Sequence, residues 1–186
     1  KDITKQNVPV LVGFRSAYVF DVSQTEGVDL PTLREISGDV GENRDRLLSF
    51  IERQGIDLVF TENIAPALGM SYGGRIAILP GQAKAEECSA LVHELAHEML
   101  DKAEGRTATT KVVRETEAEA IAFVIGKAVG LDTGTVSADY IQLYHGNASL
   151  LAESLEVIQQ ASAVILAALQ PSAPETMPDA ELAKVA

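Results

Sequence analysis

A chain of 186 residues, 46% hydrophobic and 23% charged, is long enough for one domain with a sizeable core and excludes a low-complexity or disordered composition. A formal net charge of −12, with no run of Lys or Arg, argues against nucleic acid as a partner of these residues. One cysteine excludes an internal disulfide framework and fits a reducing, cytoplasmic compartment; no apolar run reaches the ~20 residues that span a bilayer.

The chain opens at Lys1, and its first twelve residues read as a linker. Val8 to Phe14 and Ala17 to Val22 are rich in β-branched and aromatic residues and predict strand. Gln24 to Pro31 is a connector. Asp39 to Gln54 predicts a surface helix with Leu47, Leu48 and Ile51 inward, stopped by Gly55. Ile56 to Phe60 is a short strand, Ala65 to Gly69 a turn or lid, and Arg75 to Leu79 a strand closed by Pro80-Gly81. The rest is helical: about Lys84 to Lys102, Lys111 to Val129, a short helix with Ser137 as its N-cap, and about Ala148 to Ala168. A Pro/Ala/Ser/Glu-rich tail, 171–186, has too little apolar content to pack. Strands first and helices later imply an α+β fold with helices on one side of a small mixed sheet.

Within the first of those long helices lies His93-Glu94-Leu95-Ala96-His97. At about 100° per residue the two histidines fall within roughly 40° of each other, so both can hold one ion. Glu94 flanks them, where a carboxylate reaches a metal-activated water without displacing it. Leu91, Val92, Leu95, Ala96, Met99 and Leu100 form the apolar arc, which also takes Cys88 into the core.

Two histidines leave a zinc site incomplete, because catalytic zinc takes three protein ligands and an open position. His145 is one candidate. Glu115 and Glu119 on the following helix are better, being four apart on one face that continues through the small residues Ala122 and Gly126. Two carboxylates facing an otherwise apolar region are costly unless a cation compensates them. Glu115 is therefore assigned as the third ligand and Glu119 as the acceptor of a ligand imidazole's free N–H, with the reverse order left open. Glu117, about 200° round the wheel, reads as a solvated or Arg-paired carboxylate. The plain alternative for Glu115 is a carboxylate stabilised by the helix dipole.

His93-Glu94-x-x-His97 followed by Glu115-x-Glu117-Ala118-Glu119 resembles the gluzincin peptidases, and more narrowly the ImmA/IrrE and antirestriction ArdC-like families. The ArdC-like similarity extends through Tyr18 to Gly27, Gly69 to Gly74, Arg114 to Ala120, Leu131 to Thr133 and Ser137 to Ile141. It implies a zincin-like metallopeptidase domain over 13–170, needing Zn2+ and acting on a protein or peptide. It further implies a mobile-element protein whose single-stranded-DNA-binding module lies upstream. In such a site Glu94 is the general base, and Tyr140, ahead of Tyr72 and His145, is the candidate oxyanion donor. The strand containing Arg75, Ile76 and Ala77 is the expected edge for an extended substrate. The alternative is a zinc-stabilised domain that binds protein without cleaving it.

Overall fold

The computed structural model describes residues 35–101, 109–133, 136–143 and 145–171, with Tyr18, Asp21, Gln24, Glu26 and Gly27 before them. Apart from Tyr18 and Asp21, the strands expected over 8–22 lie outside the described residues, as do most of the 24–31 connector and the tail beyond Pro171. The chain divides into two compact units, 1–32 and 33–186, and every described helix and strand belongs to the second.

Helix α1 (Asn43–Arg53) buries Leu47, Phe50 and Ile51 and ends where Gly55 takes a positive φ of 69°. Strand β1 (Asp57–Phe60) is followed by a 3-10 turn over Glu62–Ile64, capped by the Thr61 side chain. Then come β2 (Gly69–Ser71) and β3 (Arg75–Ile78). The sheet order is β1-β3-β2, with β1 parallel and β2 antiparallel to β3. β2 was not foreseen: three residues beginning with Gly carry almost no strand preference, and pairing to β3 alone makes them one.

Helix α2 (Lys84–Asp101) lies at the centre, packed on β2 and β3 on one side and α3 (Lys111–Ala128) on the other, with α1 and α6 at its flanks. Leu91 and Leu95 are fully buried on the apolar arc, and Cys88 is buried with them. The histidine side of α2 is covered too, so the helix is buried nearly all round. Thr110 caps α3 by accepting from the Val113 N–H. On α3, Ala118, Ile121, Ala122 and Ile125 are buried, whereas Phe123 and Val124 are exposed. Gly126 faces Thr133 and Leu131, so it serves contact with that loop and not with the histidine helix. The solvated reading of Glu117 is corrected: it is 3% exposed, because α3 is enclosed by α2, α4 and α6.

Helix α4 (Val136–Leu143) starts one residue before the expected cap, so Ser137 is a buried helical residue. The expected last helix is two, α5 (Ala148–Glu153) and α6 (Leu155–Leu169), separated at Ser154 and ending before Pro171. The fold is thus mixed α+β, a three-stranded sheet with a helical C-terminal half. Among the described residues no helix is long and apolar enough to cross a membrane.

Candidate metal centre

α2 presents His93 and His97 from successive turns, and α3 presents Glu115 from its first turns. His93 Nε2 and His97 Nε2 stand 3.1 Å apart, and Glu115 Oε2 lies 3.6 Å from the first and 3.7 Å from the second. A tetrahedral zinc bonded at about 2.0–2.1 Å spaces its ligands about 3.4 Å apart, so these donors fit such an ion. The three side chains lie close enough together to hold a metal ion.

The Nδ1 atom of His93 stands 3.1 Å from Glu119 Oε2. A carboxylate only accepts, so Nδ1–H donates, which leaves Nε2 as the lone-pair nitrogen facing the triad whenever the ring is neutral. Glu119 is 7% exposed, which keeps this bond out of water. Glu115 therefore faces the gap between the imidazoles while Glu119 stands behind one of them.

The electrostatics follow from crowding. Burial disfavours a charged His93, but hydrogen bonds to Glu115 and Glu119 outweigh it and push the imidazole up to about 9. Hydrogen bonds from His93 and then His97 hold the Glu115 carboxyl far below the usual carboxylate range. Burial raises Glu94 more than the two imidazoles lower it, leaving a carboxylate readier than usual to hold a proton. Cys88 is pushed up to about 11 by burial and then by Glu87, consistent with an inert core thiol.

An open cleft of about 360 Å³ exposes the triad. β2 with Ala67 lines it on one side, Arg114 and Tyr140 also border it, and Glu94 lies beside the triad. The Tyr140 hydroxyl donates to Glu115 Oε2 at 3.2 Å, and its ring meets that of His93 edge to face at 5.4 Å. Tyr72 and His145 are not brought to the cleft. Tyr72 is exposed on the β2–β3 turn, beside a separate hollow lined by Asp57 and Arg75; His145 is exposed past the end of α4 with φ 63°.

The substrate strand is corrected as well. β3 is the central strand, paired on both sides, so it offers no free edge; Ile76 and Ala77 are buried, and exposed Arg75 pairs with Asp57 at 2.7 Å. Adjacency in sequence to the histidine helix pointed to β3, but among the described residues the hairpin places β2 outermost and against the cleft. Sequence reading also missed Ser71, which lines the cleft with Glu94, and Glu98, which accepts from the backbone amides of Gly73 and Gly74. Only the Gly73-Gly74 pair, with two unhindered N–H groups at a turn, hinted at the latter.

Comparison with protein-family models, with curated proteins and with solved structures finds no match to this chain.

Proposed function

We propose that this chain carries a zinc-dependent, zincin-like peptidase domain of the gluzincin, ArdC-like kind. The observation that carries the reading is the triad of His93, His97 and Glu115 with Glu94 beside it and Glu119 behind His93. Zinc bound by the triad would supply a Lewis acid that lowers the pKa of a water toward ~7 and polarises a carbonyl.

The chain's own groups do the rest. Glu94, buried and raised in pKa, takes a proton and returns it to a leaving amine. Tyr140 has its hydroxyl beside Glu115, where it can turn to donate to a developing oxyanion. Leu79 N–H bonds to Leu68 C=O and Tyr72 N–H to Arg75 C=O, so the alternation of an antiparallel ladder points the Gly69 and Ser71 peptide groups away from β3. That outer edge of β2 lines the cleft and is where an extended peptide would add.

Leu68, Met70 and Tyr72, exposed at every second residue along β2, favour a second reading: a metal-stabilised domain that binds protein without cleaving it. Elemental analysis of wild type beside His97→Ala, then a degenerate peptide library screened with Glu94→Gln as control, separates the two. One zinc per chain, lost in His97→Ala, with cleavage lost in Glu94→Gln, supports the peptidase. Zinc without cleavage supports the binding domain, and no zinc after dialysis against it sinks both.

A further inference from the structure

Glu98 does not line the cleft, yet at 1% exposure it is among the most buried polar side chains of the described residues. Its carboxylate oxygens accept the backbone N–H groups of Gly73 at 2.7 Å and Gly74 at 2.5 Å. These two residues turn the chain from β2 into β3, with positive φ of 74° and 113°, and their successive amides converge on the one carboxylate. A buried carboxylate is costly unless satisfied, and hydrogen bonds to a charged acceptor are the strong kind.

Glu98 lies one helical turn beyond Glu94, so the two carboxylates leave α2 on the same stripe, facing β2. At the start of β2 a Cβ on Gly69 would stand 2.7 Å from Glu94 Cγ and 2.9 Å from its Oε1, a contact only glycine permits. The strand Gly69–Ser71 runs between this close approach and the turn held by Glu98. Three residues, paired on one side among the described residues, have little means of holding their own position.

We propose that Glu98 is a positioning residue: it pins the β2–β3 turn to the metal helix and so holds the outer edge of β2 in fixed register with Glu94 and the triad. What that edge receives rests on the peptidase reading; the pinning does not.

The test compares zinc-loaded wild type with Glu98→Gln, whose amide offers one acceptor oxygen and sets an N–H donor against the other amide. Zinc affinity is expected to stay within about twofold. Hydrogen exchange at the amides of Tyr72, Gly73 and Gly74 is expected to rise about tenfold or more, with the α2 and α3 amides unchanged. With a peptide found in the library screen, KM should rise about tenfold while kcat stays within about threefold, the signature of a mispositioned binding edge. Unchanged exchange in the turn, or a uniform rise across the domain together with lost zinc, would overturn the proposal. So would a fall in kcat at constant KM. If Glu98→Gln does not fold, Glu98→Asp, which keeps the charge but reaches one bond less far, carries the same measurements. If wild type cleaves nothing, the peptidase reading fails and the exchange data alone decide the role of Glu98.

Discussion

Each charged residue of the site is shaped by its neighbours, and its substitution should read out a distinct role. Glu94→Gln keeps the shape but cannot accept a proton; it is expected to bind zinc as wild type does and to lower kcat about 10²–10⁴-fold on any cleaved peptide. Equal turnover would remove Glu94 from the chemistry. Loss of Glu119 should cost about 10–100-fold in zinc affinity, because it orients His93 from behind, and loss of Glu115 should cost more. Competitive titration with a chelator measures both, and a larger loss in Glu119→Ala reverses the ligand order. His93 also predicts a pH effect. Its folded pKa of about 9 lies above the ordinary 6.5, so its pairing stabilises the metal-free fold fully below pH 6.5 and is lost as pH rises through 9. Glu115 is depressed below the ordinary 4.5, so its share is present above that value and is lost as pH falls. Melting of chelator-treated protein should therefore peak near pH 5–6.5 and decline toward 9, with a weaker decline when zinc holds the imidazole neutral. A flat profile with chelator would mean the pairs do not form.

Among the elements, α2 is the member on which the rest is arranged. Its apolar arc meets the sheet and its neighbouring helices while Glu94 and Glu98 reach β2, so packing and chemistry share one helix. Leu95 is fully buried one residue from Glu94. Leu95→Ala is expected to destabilise the domain by about 2–5 kcal/mol in urea unfolding, without loss of zinc stoichiometry in the fraction that folds. A cost below about 1 kcal/mol would show that α2 is not the packed centre. The helices themselves were legible because Lys84 to Asp101 and Lys111 to Ala128 are long and punctuated by Thr110 and Gly130. β2 was not, and neither was the break at Ser154, since a three-residue strand and a one-residue interruption are decided by what packs around them.

At the scale of the whole molecule, α2 and α3 both contribute residues to the candidate cluster, so on the proposed zinc reading metal binding would be coupled to folding. Zinc at about a thousand times its Kd should stabilise the chain by about 4 kcal/mol relative to chelator-treated protein. For a domain of this size that is roughly 8–16 °C in Tm, read by calorimetry with and without chelator. A Tm indifferent to chelator would leave the cluster as a set of ion pairs within a structural domain.

The sequence by itself determined the α+β order, the histidine pair and the facing carboxylates, because i, i+4 spacing on a helix dictates which side chains share a face before anything packs. It put His93, His97 and Glu115 together, and they lie close enough to hold a metal ion; Glu119 stands 3.1 Å from His93 Nδ1. Only the tertiary structure decided that, among the described residues, β2 and not β3 is the outer strand, that Glu117 and Ser137 are buried, that Tyr140 and not Tyr72 or His145 borders the cleft, and that Glu98 accepts from the Gly73 and Gly74 amides. Those outcomes depend on which elements meet across long stretches of chain, and local periodicity carries no information about that.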